Sequence, residues 1–185
     1  MSAQRFIAFL DRDGTVIETD VHEGLPVAIQ GSDRVALVPG AEAACARLKS
    51  AGYLLVLVTN QPDVARGLVS RSEIDSVNNG LADTLCLDLS LTCYHDDLDG
   101  CDCRKPAPGL LITAAAVFDV NLDSGSVMIG DRWRDIDAGH AAGVSTVFLD
   151  RGYAELLRTA PDYFAESLTD AADWVLDRRV TTVRS

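Results

Sequence analysis

Positive charge is scarce in this chain: 16 Lys and Arg stand against 28 Asp and Glu, a formal net charge of −12 over 185 residues. Phosphate backbones are bound by basic surface, so nucleic acid is excluded as an expected partner. Long apolar runs are also missing. The strongest, "YLLVLV" at 53–58, is far short of the roughly 20 residues a membrane helix needs, so no membrane partner is expected. The opening "MSAQRF" leads into a short apolar stretch ending in "DRDG" rather than a signal sequence, and the expected location is cytoplasmic. Repeats and low-complexity linkers are absent. The length suits a single domain over 1–185, expected to be monomeric with a tail that frays from Val180. In a reducing compartment five cysteines do not imply a disulfide framework. Cys45 and Cys86 read as small buried apolar residues. The other three crowd together in "CYHDDLDGCDCRKP", residues 93–106.

What is present is an alternation of strands and helices. "RFIAFLD" (5–11), "YLLVLVT" (53–59), "LSLTCYH" (89–95), "SVMIG" (126–130) and "STVFLD" (145–150) read as strands. Between them, 39–52, 70–87, 108–120 and 135–143 have helical spacing. The second of these opens on a Ser–x–x–Glu capping box but is weakened by Asn78, Asn79 and Gly80. Beyond 151 the chain reads as helical or irregular, with "TDAADWVLDR" the best helix. Such alternation predicts an α/β fold: a Rossmann-like, mainly parallel sheet with helices on both faces and ligands beyond the carboxyl ends of the strands.

Chemistry-bearing residues fall at those ends. The first strand stops at Asp11, with Asp13 two residues on and Gly14 permitting a turn. Two carboxylates this close call for a cation or a proton between them. The second strand ends in Thr59 and Asn60, Arg104 and Lys105 follow the cysteine-rich stretch, and "GDRWRD" places Asp131 and Asp135 after the fourth strand. Taken singly, each has a bland reading as a cap, a solvated acid or a surface cation.

As an ordered set they resemble the haloacid dehalogenase (HAD) superfamily of phosphohydrolases, whose four motifs match Asp11–Thr15, Thr59, Lys105 and Gly130–Asp135. The resemblance implies a Mg²⁺-dependent phosphatase acting on a small phosphorylated molecule. Asp11 is then the nucleophile and Asp13 the general acid and base, with Thr59 and Lys105 holding the transferred phosphoryl group. Asp11, the carbonyl of Asp13 and Asp131 would hold Mg²⁺, with Asp135 acting through water or from the second layer. Only residues 16–37 separate the first helix from the first motif, too few for a cap domain. A capless site is expected, shaped by residues 18–36 and the cysteine loop.

The spacing Cys93–x–His95, five residues, Cys101–x–Cys103 offers four ligands for tetrahedral zinc, the alternative being reduced thiols beside an unrelated histidine. The stretch is similar to the zinc loop of one HAD branch, the heptose-bisphosphate and histidinol-phosphate phosphatases, with Tyr94 where proline is usual. That likeness implies a structural Zn²⁺ on Cys93, His95, Cys101 and Cys103 which presents Arg104 and Lys105 to the phosphate. "VTNQPDVARG" (58–67) resembles the heptose branch, though Pro62–Asp63 replace a usual Ser-Gly. Asn60 and Arg66 are candidate substrate contacts, Arg66 toward a second phosphate. The expected substrate is D-glycero-D-manno-heptose 1,7-bisphosphate. The alternative is histidinol phosphate, whose amine would meet Glu18, Asp20 and Glu23. An alternative of another class is a receiver-like signalling domain, which also phosphorylates an Asp near a Thr and a Lys.

Overall fold

The computed structural model describes residues 4–27 and 35–182. Its centre is a six-stranded, all-parallel sheet formed by β1 (Phe6–Leu10), β4 (Tyr53–Asn60), β5 (Leu89–Cys93), β6 (Val127–Gly130), β7 (Ser145–Leu149) and β8 (Tyr163–Ala165), in the order β5-β4-β1-β6-β7-β8. A separate antiparallel hairpin pairs β2 (Asp20–His22) with β3 (Leu25–Val27). The helices are α1 (Ala41–Ser50), α2 (Arg71–Leu85), α3 (Gly109–Phe118), α4 (Trp133–Ala141) and α5 (Leu168–Thr182), with a single 3₁₀ turn at Asp97–Asp99. No described helix is long and apolar enough to cross a membrane.

Alternation along the strands divides the core. Ala8, Leu10, Leu55, Leu57, Val127 and Ile129 pack against α1, α2 and α5 on one face. Ile7, Phe9, Val56, Val58 and Met128 pack against α3 on the other. Because both faces are covered, these strands read as continuous apolar runs rather than as half-polar ones. The chain winds outward from β1 through β4 to β5, then crosses back to β6 on the other flank of β1. That reversal opens a crevice at the carboxyl ends of β1, β4 and β6, where an open α/β sheet binds its ligand.

The expected capping box is present: Ser70 Oγ accepts from the Glu73 backbone N–H at 3.2 Å, and Glu73 accepts from the Ser70 N–H at 2.9 Å. Two sequence readings, those of Cys86 and of the start of the fourth helix, are corrected. Cys45 is buried, and burial, with Cys86 adding a little, pushes its thiol up to about 12. Cys86 is exposed, because it caps α2 in the left-handed region (φ 51°) and its side chain lies beyond the helix on the surface. Helix α4 starts two residues before the expected Asp135, because Asp135 accepts the Arg132 N–H at 3.0 Å and so closes the first turn from inside it. Helix α5 runs past Val180 to Thr182, while 183–185 lie outside the described residues. Between β1 and α1 the described residues form only the β2–β3 hairpin, with no cap domain; 28–34, part of the segment expected to shape the site, lie outside them.

Candidate active site

The crevice is a cleft of about 470 Å³. At its floor Asp11, after β1, and Asp135, in the first turn of α4, meet Asp131 behind them, after β6, and the three buried carboxylates bring an oxygen each within 4.8 Å of one another. Register puts them there: Leu10 lies beside Ile129, and the Asp11 N–H continues the sheet by bonding the Ile129 carbonyl at 3.0 Å. Two glycines make room. A Cβ on Gly14, which has φ 79°, would lie 2.0 Å from Asp131 Oδ2, and one on Gly130 would lie 2.3 Å from Asp135 Cγ.

Lys105 enters this group from the loop after β5. Its buried Nζ donates to Asp11 Oδ1 at 2.6 Å, Asp135 Oδ1 at 2.6 Å and the Val58 carbonyl at 2.8 Å. These use all three ammonium donors. The Asn60 amide clamps the Lys105 backbone from both sides, donating to its carbonyl at 2.9 Å and accepting from its N–H at 3.1 Å. The two neighbouring carboxylates outweigh burial and hold the ammonium above its ordinary value.

The electrostatic balance of the floor is incomplete. Three carboxylates against one ammonium leave two negative charges when all are ionised. Burial raises Asp131 well above its ordinary 3.8, with Asp11 and Asp135 adding to the effect, and burial raises Asp11 despite Lys105. Among the described residues Asp131 Oδ2 is buried without a hydrogen-bond partner at ordinary distance, though the Tyr153 hydroxyl stands near enough to favour its ionised form. Hard oxygen donors, a deficit of two charges and an orphaned carboxylate oxygen fit a divalent cation such as Mg²⁺.

Asp13 stands beside this group, not in it. The buried Arg12 places Nε 3.3 and 3.2 Å, and Nη2 3.0 and 3.0 Å, from its Oδ1 and Oδ2. Gln61 Nε2 donates to Asp13 Oδ2 at 2.8 Å and to Thr59 Oγ1 at 2.9 Å. Because the Thr59 oxygen accepts there, its own proton is free to point elsewhere.

At the rim, Cys93, His95, Cys101 and Cys103 converge. The sulfur–sulfur distances are 3.3, 3.5 and 3.7 Å, and His95 Nδ1 lies 3.5 and 3.3 Å from the Cys93 and Cys103 sulfurs. Burial raises the Cys93 thiol, and burial together with the other two sulfurs raises that of Cys103, whereas at Cys101 burial is outweighed by hydrogen bonds that include the Arg104 and Cys103 backbone, and the thiol is lowered. Arg104 is laid along this loop, donating to Asp97 Oδ1 at 2.8 Å and to the His95 carbonyl at 3.3 Å. Arg66 also lines the cleft, but it is forked onto Asp96 at 2.8 and 2.7 Å and bonded to Asp63 at 3.2 Å.

Every residue singled out in the sequence for phosphate chemistry except Asp131 therefore lines one cleft; Asp131 is buried beside it, with a carboxylate oxygen within 4.8 Å of Asp11 and Asp135, and the cysteine cluster borders it. Four contributors were not assigned there, one of them Arg132, which lines the cleft while paired with Glu155. Arg12 and Gln61 sit inside the motifs "DRDGT" and "VTNQ" but had no role. Arg134 also lines the cleft, 3.5 Å from Asp97 and stacked 4.6 Å from the centre of the Trp133 ring. Only its place one residue before Asp135 could have signalled it.

A carboxylate cluster at the switch point of a parallel sheet, pinned by a lysine that arrives from the third crossover, defines a HAD-type hydrolase. A family model for HAD-hydrolase-like proteins matches residues 102–171. The chain is 35% identical to the D-glycero-beta-D-manno-heptose-1,7-bisphosphate 7-phosphatase of Salmonella typhi, over 91% of this chain and 88% of that one. It is 33% identical to the Escherichia coli K12 protein of the same name, over 91% and 87%. The solved structure of D,D-heptose 1,7-bisphosphate phosphatase from B. bronchiseptica, complexed with magnesium and phosphate, aligns with a TM-score of 0.80 and 29% identity, covering 94% of this chain and 99% of that one. The chain belongs to the heptose-bisphosphate phosphatase family of the HAD superfamily. It is a phosphatase, and the receiver-like alternative is set aside.

Proposed function

We propose that the chain removes the 7-phosphate from D-glycero-D-manno-heptose 1,7-bisphosphate, with Asp11 as nucleophile and Asp13 as general acid and base. The observation that carries this is Lys105 Nζ, fixed 2.6 Å from both Asp11 and Asp135 beneath an open cleft. Lys105 claims Asp11 Oδ1 and leaves Oδ2 for the phosphorus. As that bond forms, the P–O bond to the sugar breaks and Asp13 delivers its proton to the departing alkoxide. Asp13 then takes a proton from water, which attacks the phosphorylated Asp11 and releases phosphate. Thr59 and Lys105 meet the charge on the equatorial oxygens, both held before substrate arrives, so little reorganisation is needed. Asn60 acts here through Lys105, whose backbone it grips.

Asp11, the Asp13 main-chain carbonyl and Asp131 are the residues that would hold Mg²⁺, with Asp135, which also accepts from Lys105 and the Arg132 N–H, supporting them from behind. When bound, the ion neutralises the phosphoryl oxygens and the attacking carboxylate together. This reading predicts a pH-dependent stabilisation. Without metal, the raised values of Asp11 and Asp131 mean the folded chain keeps protons that the unfolded chain has released. That contribution is complete below the ordinary carboxylate range and is lost as pH rises through the raised values. A cation removes the penalty on ionising them, so the rise in Tm on adding Mg²⁺ in place of a chelator should grow from mildly acidic to neutral pH. A rise that is the same across this range would contradict the assignment.

A structural Zn²⁺ on Cys93, His95, Cys101 and Cys103 is part of the proposal. Zinc with bonds of about 2.3 Å to sulfur and about 2.0 Å to nitrogen gives tetrahedral edges of roughly 3.8 and 3.5 Å. The separations of 3.3–3.7 Å lie just inside that size. Four protein ligands close the site, so the ion would stiffen the acidic loop that carries Arg104 and Lys105. Cytoplasmic location suits this reading, since the thiols must stay reduced. Metal analysis of protein purified without added zinc should return one zinc per chain, and Cys101→Ser should lose zinc and activity with Mg²⁺ saturating. Zinc-free parent protein with reduced thiols would refute the site. A zinc-free but fully active variant would refute its purpose.

The substrate assignment rests on cations around the cleft. Arg66, Arg104, Arg132 and Arg134 line it, whereas Glu18, Asp20 and Glu23 do not. A second phosphate is thus better served than an amine. Burial, with Arg104 and Arg132 close by, pulls Arg134 below its ordinary value despite Asp97, a crowding that an anion would relieve. A charge-assisted contact is worth about 1.5–3 kcal/mol, or roughly one to two orders of magnitude in specificity. The bisphosphate should therefore exceed histidinol phosphate in kcat/KM by about that factor, and Arg66→Ala should narrow the gap. A preference for histidinol phosphate would overturn the substrate and leave the phosphatase chemistry standing.

A further inference from the structure

We infer that Arg12, with Asn78 behind it, is a positioning residue for the proton-transferring carboxyl of Asp13. The inference rests on the acid role proposed for Asp13. Arg12 is 1% exposed, and burying a guanidinium is costly unless it is paired and fully bonded. Its ion-pair partner is Asp13, 3.0 Å away, whose side chain keeps 19% exposure and lines the cleft. The carboxyl therefore sits between a buried cation on one side and the substrate space on the other.

The guanidinium is itself held from behind. Arg12 Nη1 donates to Asn78 Oδ1 at 3.3 Å, and Asn78 Nδ2 donates to Thr92 Oγ1 at 3.0 Å. Asn78 is 3% exposed in the middle of α2, where a polar residue of weak helix propensity has little local reason to be. These bonds supply the reason, because Asn78 joins α2 and β5 to the back of Arg12. On the other flank Gln61 ties Asp13 Oδ2 to Thr59. Oδ2 thus carries one donor more than Oδ1, which leaves Oδ1 as the oxygen that exchanges the proton. With its acceptor sites engaged by Gln61, just past β4, and by Arg12 of its own loop, itself held from α2, Asp13 cannot rotate freely. General acid catalysis requires that restriction, since the proton must already point at the leaving oxygen.

Leaving-group dependence tests this. kcat/KM reports phosphoryl transfer to Asp11 alone, and a primary alkyl phosphate needs the acid far more than p-nitrophenyl phosphate does. Arg12→Gln should lower kcat/KM on the alkyl ester by about 10- to 100-fold, a part of the roughly 10² to 10⁴ that general acid catalysis supplies, and several-fold less on the nitrophenyl ester. Arg12→Lys should recover part of the loss. Asn78→Ala should shift the ratio of the two substrates in the same direction by a smaller factor, and it decides the matter if Arg12→Gln shows no cooperative unfolding transition. Equal losses on both esters, or none, would overturn the positioning role. Asp13→Asn separates the two claims. If it lacks leaving-group dependence, the acid assignment falls and takes this inference with it; if it shows the dependence while Arg12 and Asn78 variants do not, only the role of Arg12 falls.

Discussion

Asp11→Asn should abolish turnover while leaving the chain folded. An amide is a poor nucleophile toward phosphorus, and it gives up the charge that Lys105 Nζ faces at 2.6 Å. The fold should survive because Lys105 keeps Asp135 and the Val58 carbonyl as partners, and the Asp11 backbone bond to Ile129 does not involve its side chain. Removing one carboxylate from a buried, acid-rich floor also relieves repulsion, so the metal-free variant should unfold at no lower temperature than the parent. Phosphate release from p-nitrophenyl phosphate and from the bisphosphate, read beside a thermal melt, checks both parts. Turnover within tenfold of the parent would sink the nucleophile assignment.

Asp13→Asn should fail in another way. Its main-chain carbonyl stays in place, so metal binding persists, and the loss is that of acid and base catalysis, roughly 10² to 10⁴. The substitution also leaves the buried Arg12 guanidinium without its anion, so some stability should be lost as well. Removing one partner of a buried pair is the costly case, and Asn78 remains as the only other side chain that Arg12 bonds among the described residues. Normal hydrolysis by this variant would show that another group handles the proton.

Much of this site could be read from the sequence because its parts lie at strand ends, and buried parallel strands announce themselves as short apolar runs. Asp11, Thr59 and Asp131 each follow or close such a run, and the order of the runs fixes which loops meet. What could not be read depends on side-chain direction beyond the strand. Arg12 is flanked by two acids, and nothing local says that its guanidinium turns back under Asp13 rather than out to solvent. Asn78 reads as a flaw in a helix until Thr92 and Arg12 are seen on either side of it. The missed strands β2, β3 and β8 have three residues each, too short to show a period. Cys86 illustrates the converse error: cysteine's preference for the interior is overridden by the left-handed turn that ends α2.

The central claim is that the phosphoryl group passes through Asp11. It is tested most directly in the Asp13→Asn variant, where loss of the base should slow hydrolysis of the phosphorylated protein and let it accumulate. Mixing this variant with the bisphosphate and Mg²⁺, quenching in acid and mapping the peptides by mass should reveal one added phosphoryl group on the peptide that holds Asp11. The label should be absent when Asp11→Asn is combined with it. Continued phosphate release with no protein-bound phosphoryl group at any quench time, or with the label on a different residue, would contradict the account.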